Sequence, residues 1–183
     1  MGFLLLSGAA AQSAPPQAIA TPILPSYPVT LTAYNAVPDQ TDSDPFTTAS
    51  GAYSNPEVVA ARSQDLADEL PFGTIVEVDG SGTSSGGMCG FDTVAPIIGY
   101  RVIADTMNVR YTNRIDVLFS TKSNYIMADG TQRNASNVLG VCGGVKVRVV
   151  GHIDASKMGH LPQTQAQLAA IVEGRASPVL ADR

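Results

Sequence analysis

The sequence predicts one mainly β domain. Seventeen of the 183 residues are Gly and twelve are Pro, whereas Trp is absent. Frequent turn residues combined with many Val, Ile and Thr are typical of short strands joined by turns, and not of a helical bundle. A chain of this length holds one ordinary domain with its own core. The net charge of −5, with no basic run to neutralise phosphates, makes nucleic acid an unlikely partner class.

The first 28 residues predict no folded structure. Residues 1–20 form a short apolar, Ala-rich stretch that ends in Ala-Gln-Ser-Ala, like the end of a secretory signal, but no Lys or Arg precedes it. This stretch is either a truncated export signal or an Ala-rich N-terminus without a targeting role. It is too short to span a bilayer, so no transmembrane helix is predicted. The proline-rich run up to Pro28 predicts a stiff tether.

The folded domain is expected to cover residues 29–154. Alternating β-branched and aromatic residues predict a strand at Val29–Tyr34, and short apolar runs predict further strands at Ile75–Val78 and Val138–Val150. The segment Gly80–Gly90 reads as a flexible, hairpin-like excursion because of its glycines. Residues 155–183 are expected to be a tail with one short helix.

Two aspartates lie in the most strand-like part of the chain. Alternation over Arg114–Phe119 places Arg114 and Asp116 on one face of a strand, and Asp105 lies at the edge of the apolar run before it. Asp is disfavoured in strands, so two carboxylates brought together by a strand-loop-strand turn could divide acid and base roles. The alternative is that Asp105 closes a turn and Asp116 binds its own loop.

Neither cysteine belongs to a CxxC pair, which argues against a zinc site. Cys89 and Cys142 are either a disulfide that closes a loop of about fifty residues or two free, buried thiols. No metal and no cofactor are predicted. Two further side chains, Arg110 and Arg114, are either solvated charges or ligands for a substrate carboxylate.

Several short motifs occur in a recognisable order: Thr32-Ala33-Tyr34, Thr48-Ala49-Ser50-Gly51, Val59-Ala60-Ala61, Leu70-Pro71-Phe72-Gly73-Thr74, Ala104-Asp105-Thr106 and Arg114-Ile115-Asp116. This series resembles the three-aspartate (3D) domain, and it is similar to the catalytic domain of membrane-bound lytic transglycosylase A and to small stand-alone muralytic proteins. The resemblance covers roughly Val29 to Asp154. It implies a six-stranded double-psi β-barrel with short helical segments.

The resemblance also implies an activity and its residues. Asp116 takes the place of the catalytic acid/base and Asp105 that of its support, while Thr32, Tyr34 and Thr48 are expected near the glycan groove. Asp65 and Asp68 are the nearest candidates for the third aspartate, and Asp65 is counted with the expected substrate-binding residues. The implied function is extracytoplasmic cleavage of the β-1,4 bonds of peptidoglycan between N-acetylmuramic acid and N-acetylglucosamine, by a lytic transglycosylase-like reaction.

The sequence departs from the family pattern next to Asp105. Met107 stands where the family has Gly, and residues 108–113 replace the small loop that normally follows. These departures favour the alternative function, a peptidoglycan-binding barrel of the cell envelope without catalysis.

Overall fold

The computed structural model describes residues 24–41 and 44–174, and it has a mainly β architecture. Six strands are hydrogen-bonded in the order β1-β5-β2-β4-β3-β8 and close into a barrel, while β6 and β7 form a separate two-stranded sheet. The strands are β1 (Ser26–Asn35), β2 (Val59–Arg62), β3 (Thr74–Cys89), β4 (Tyr100–Thr106), β5 (Arg114–Phe119), β6 (Asn124–Ile126), β7 (Gln132–Asn134) and β8 (Gly140–His152). The α-helices are α1 (Phe91–Ile98), α2 (Ala135–Leu139) and α3 (Gln165–Val172), and the 3-10 helices are Gln64–Leu66 and Ala155–His160.

The barrel combines two parallel strand pairs with antiparallel neighbours. β1 pairs with β5, and β2 pairs with β4, in the parallel sense. β2 also runs antiparallel to β5, and the long strands β3 and β8 close the barrel by antiparallel pairing with each other. Because parallel neighbours need crossover connections, the chain reaches β4 from β2 through β3 and α1.

Strand alternation separates two apolar clusters. The first cluster contains residues from all six barrel strands, among them Leu31, Ile115 and Val147, and is therefore the barrel interior. The second cluster, which includes Val59 and Leu118, lies on the opposite face of the same strands. The predicted alternation in β5 is confirmed, since Ile115, Val117 and Phe119 all belong to the interior cluster.

Arg101 is buried inside this framework, with only 1% of its surface exposed. Its guanidinium donates hydrogen bonds to backbone carbonyls of three separate segments: Ile97 and Ile98 in α1, Pro56 and Val59 at the start of β2, and Leu118 in β5. Burial lowers the pKa of Arg101 to about 10. A buried charge is tolerated only when its donors are satisfied, so this side chain fixes the three segments relative to one another.

Three sequence predictions need correction. β1 begins at Ser26, before the predicted domain start at Val29, and Val149 N donates to Pro25 O at 2.9 Å. The segment Gly80–Gly90 is no hairpin, because β3 continues to Cys89 along β8 and α1 follows.

The third correction concerns the C-terminal segment. The predicted helix is present as α3, but it is packed against the domain: Leu168 is fully buried, and the Gln165 side chain bonds both backbone groups of Tyr100. Residues 155–174 therefore belong to the folded unit. The signal-like segment and most of the proline-rich run lie outside the described residues. No helix in the described residues has the length and apolar character needed to cross a membrane.

Cys89 and Cys142 form a disulfide, which decides between the two alternatives left by the sequence. The bond joins the end of β3 to β8 across a sequence separation of 53 residues. It links the two longest strands where their register is irregular. The bond therefore holds β3 and β8 together where their backbone pairing is interrupted.

We expect the double variant Cys89→Ser/Cys142→Ser to lose about 4 kcal/mol of unfolding free energy, because the open chain regains the loop-closure entropy that the bond removes. Urea unfolding under non-oxidising conditions measures this loss. Reductant added to the wild type should reproduce it and leave the double variant unchanged. A loss below about 1 kcal/mol would contradict a stabilising role for the bond.

Candidate active site

Asp105 and Asp116 lie in one row across neighbouring strands. Thr32 on β1 is in register with Asp116 on β5, and Ala61 on β2 is in register with Asp116 on one side and Asp105 on the other. Residues in register on adjacent strands point to the same face, and strands are about 4.8 Å apart. The two Cα atoms are therefore roughly 10 Å apart, and only the methyl group of Ala61 separates the two carboxylates.

A β-bulge turns Asp105 toward this face. The pairing of β2 with β4 shifts between Ala60 and Ala61, so that Ala60 pairs with Ile103 and Ala61 pairs with Asp105. Ile103 belongs to the interior cluster, and strict alternation would send Asp105 inside with it. The extra residue, Ala104, reverses the direction and brings Asp105 to the same side as Asp116.

The row forms part of a groove of about 740 Å³. One wall is the loop after β1, the second is the segment from residue 44 to residue 54, and the third is the loop between β4 and β5. The lining residues include Asp39, Gln40, Asp44, Ala49, Met107, Asn108, Arg110 and Tyr111, together with Tyr34, Ala61, Asp105 and Asp116.

Both carboxylate oxygens of Asp105 already accept hydrogen bonds. Tyr34 Oη donates to Oδ2 at 2.9 Å, and the backbone N–H groups of Ala49 and Thr106 donate to Oδ1 at 2.9 Å each. Asp105 therefore connects β1, the loop around Ala49 and its own strand. Burial and the Asp105 carboxylate raise the pKa of Tyr34 well above its ordinary value, so the phenol stays a neutral donor.

Asp116 has the opposite environment. Its Oδ1 is buried and has no hydrogen-bond partner within the part of the chain that the structure describes. Burial raises the pKa of Asp116 to about 6; Thr32 and Arg114 oppose the rise, and the Asp105 carboxylate adds to it. Because the residue also lines the groove, it is a carboxyl that binds a proton near neutral pH and faces a ligand-sized space.

Arg114 lies two residues before Asp116 on the same face of β5. Its Nε is buried and, within the described residues, has no acceptor. The guanidinium carbon is 4.7 Å from the ring centroid of Tyr111, and that of Arg110 is 4.8 Å from the same centroid. Arg110 Nη2 also donates to Tyr111 Oη at 3.0 Å. Of these two arginines, Arg110 lines the groove.

Four predicted site residues do not line the groove: Thr32, Thr48, Asp65 and Arg114. Thr32 lies in register with Asp116 and hydrogen-bonds to its side chain. Thr48 is buried and closes a tight turn, with its hydroxyl bonded to the backbone of Ala52. Asp65 is exposed, and its Oδ2 accepts from Asn113 N at 2.8 Å. Hydrogen bonds from Ser63 and from the Asn113 backbone lower the pKa of Asp65. Asp65 thus secures Asn113, which has φ of 48°, in a conformation that few non-Gly residues adopt.

Met107 fits its position without strain. In the described chain Asn113 is the only non-Gly residue with positive φ, so the backbone at Met107 does not require Gly. Its side chain is 8% exposed and packs in the outer apolar cluster beside Ala61, while Met107 N donates to Arg62 O at 2.9 Å. Met107 therefore adds a mostly buried apolar side chain to the lining of the groove.

Comparison with protein-family models and with curated protein sequences gave no match to this chain. The site must therefore be judged on its own geometry. Among the described residues, no group of three or more His, Cys, Asp or Glu side chains is arranged to hold a metal ion.

We expect Asp116→Asn to raise the unfolding free energy at pH 7, by up to about 3 kcal/mol. The folded state disfavours the charged carboxylate, since the pKa of Asp116 is raised to about 6. This cost is fully present above that pH, and it disappears as the pH falls toward the unfolded value of about 4, because the wild-type carboxyl becomes protonated. Asn carries no charge at any pH.

Urea unfolding of both proteins between pH 4 and pH 7.5 measures the difference. Asp79→Asn, a change at an exposed strand residue, is the control and should give no such pH-dependent gain. If the Asp116→Asn variant is equally stable or less stable at pH 7, the charged Asp116 carboxylate does not destabilise the folded state, and the expectation is wrong.

Proposed function

We propose that this chain is a peptidoglycan-cleaving enzyme of the lytic transglycosylase type, with Asp116 as its single acid/base. The observation that carries the proposal is the unequal state of the two neighbouring carboxyls. Asp105 accepts three hydrogen bonds, whereas Asp116 Oδ1 is without a partner in the described residues and borders the groove. One carboxyl is fixed, and the other is available to exchange a proton with a ligand.

The pKa of about 6 suits Asp116 to both halves of such a reaction. A general acid works best when its pKa is close to the working pH. The protonated carboxyl donates its proton to the glycosidic oxygen, the bond from that oxygen to C1 of the muramic acid breaks, and an oxocarbenium-like centre develops. The carboxylate then takes the proton of the 6-hydroxyl of the same sugar, whose oxygen bonds to C1 and closes a 1,6-anhydro ring.

Asp105 serves as a positioning residue in this proposal. Its negative charge, across Ala61 from Asp116, raises the pKa of Asp116 and favours the developing positive charge on the sugar. Tyr34 and the N–H of Ala49 hold it at that distance. A hydrolase pair needs a second carboxyl that activates water or attacks the sugar, whereas a lytic transglycosylase needs only one acid/base. This requirement agrees with a site in which three hydrogen bonds hold Asp105, while Asp116 keeps one oxygen without a partner in the described residues.

The double-psi architecture belongs to the same proposal. A closed six-stranded barrel with parallel pairs β1–β5 and β2–β4 has the strand number and mixed pairing expected of it. An extracytoplasmic location is also proposed, and the Cys89–Cys142 disulfide supports it, because such bonds persist in oxidising compartments.

A second candidate is a peptidoglycan-binding barrel without catalysis. Met107 favours it, since a buried thioether beside Ala61 takes space that a glycine would leave open to a sugar ring. The groove is the same in both candidates, and only turnover distinguishes them.

We expect the purified protein to release 1,6-anhydro-muropeptides from peptidoglycan, detected by mass spectrometry. Asp116→Asn should lower the release at least 100-fold, because loss of a general acid costs 10² to 10⁴ in rate. The wild-type rate should fall as the pH rises through about 6, where the acid loses its proton.

Asp79→Asn is again the matched control and should keep the wild-type rate. Absence of anhydro products, or equal release by Asp116→Asn, contradicts the enzymatic proposal. If the protein then still sediments with insoluble peptidoglycan, the binding function stands; if it does not sediment, both candidates fail.

A further inference from the structure

The wall of the groove formed by the loop between β4 and β5 is positively charged. Arg110 and Tyr111 both line the groove, and the Tyr111 ring contacts the guanidinium groups of Arg110 and Arg114 at centroid distances of 4.8 and 4.7 Å. Arg110 is additionally bonded to Tyr111 Oη. The ring thus holds two like charges close together, with Arg110 on the side of the groove and Arg114 on the side of β5.

Within the described residues, no carboxylate forms an ion pair with either arginine. The ion pairs found in residues 24–41 and 44–174 are Lys146–Asp79 and Arg148–Glu77, which join β8 to β3. Arg114 acts on Asp116 at a distance and lowers its pKa, but its Nε has no acceptor within the described chain. Because neither guanidinium forms an ion pair with a carboxylate of the described residues, both keep hydrogen-bond donors that can bind a ligand.

The two other walls of the groove each carry an acidic residue. Asp39 and Asp44 line the groove from the loop after β1 and from the following segment. An anionic group on a bound ligand is therefore repelled from these two walls and attracted to Arg110. The uneven distribution of charge in the groove favours binding of a ligand with its anionic group at Arg110.

We propose that Arg110, held by Tyr111, forms a carboxylate-binding subsite that places the acidic sugar of a glycan strand beside Asp116. This inference rests on the proposed function and adds to it which of the two alternating β-1,4 bonds of the glycan strand is cleaved. Arginine suits a carboxylate because its planar fork donates two parallel hydrogen bonds. Muramic acid carries its lactyl group on the same sugar whose C1–oxygen bond is cleaved. A cation at a fixed place in the groove therefore selects one of the two alternating β-1,4 bonds.

The carboxylate has two possible sources, the free lactyl group or the stem peptide attached to it. Three probes separate them: peptide-free glycan strands with free lactyl groups, the same strands after conversion of these groups to methylamides, and strands that carry stem peptides. Binding is measured by fluorescence polarisation in the Asp116→Asn background, so that no strand is cleaved during the titration.

We expect methylamidation to weaken binding to the Asp116→Asn protein about tenfold, because one charge-assisted contact is lost. With Arg110→Gln added, the ratio between the two affinities should fall to about one, and with Arg110→Lys it should be intermediate. Arg133→Gln, a change on β7 outside the groove lining, is the matched control and should keep the tenfold ratio. A preference confined to peptide-bearing strands would assign the subsite to the stem-peptide carboxylates.

Equal binding of charged and methylamidated strands, together with no preference for peptide-bearing strands, overturns the subsite while the glycan groove stands. The subsite is likewise overturned if Arg110→Gln keeps the tenfold ratio. Failure of every strand to bind counts against the proposed function itself, and the two failures are thereby distinguishable.

Discussion

The position of β2 between β4 and β5 is the constraint on which the site depends. This strand has only four residues, yet Ala61 is in register with both Asp105 and Asp116. Arg101 fixes the strand in place, since its buried guanidinium bonds carbonyls at the start of β2 and in β5. Loss of this side chain would leave several buried carbonyls without donors. The Arg101 guanidinium lies toward the opposite end of the same strands. By fixing these strands it helps to keep the Asp105 and Asp116 carboxylates at their present distance.

The two carboxyls differ because their neighbours differ, although both lie in the same groove. Asp105 lies where a loop returns to the barrel, and the backbone N–H of Ala49 reaches it. Asp116 lies in the middle of a ladder, where neighbouring backbone groups bond one another and none reaches its Oδ1. Burial of a carboxyl with one unbonded oxygen costs stability, and burial at the same time raises the pKa of Asp116. The fold therefore gives up stability at the carboxyl whose pKa it raises.

The sequence predicted the elements that depend on local periodicity and missed those that depend on contacts between distant segments. The alternation of β5, the strand of β1 and the helix α3 follow from short-range patterns, and the structure contains all three. The β-bulge at Ala104 has no local signal; it arises from the pairing of β4 with β2, and without it Asp105 would point into the barrel. Ala49 and Ala61 belong to the motifs Thr48-Ala49-Ser50-Gly51 and Val59-Ala60-Ala61, but the sequence does not show that one donates a backbone N–H to Asp105 and that the other lies between the two aspartates. The contact of Tyr111 with two guanidinium groups likewise depends on the folded loop. Asp65 and Thr48 were predicted near the groove, but their hydrogen bonds to Asn113 and Ala52 make them loop anchors.

The raised pKa of Asp116 keeps its carboxyl protonated up to nearly neutral pH. The most direct measurement is a ¹³C NMR titration of the side-chain carboxyl signals of the folded protein, with Asp116 assigned by its absence in Asp116→Asn. We expect a midpoint of about 6 for Asp116. A midpoint for Asp116 at or below about 4, the ordinary value of an exposed aspartate, would contradict this expectation.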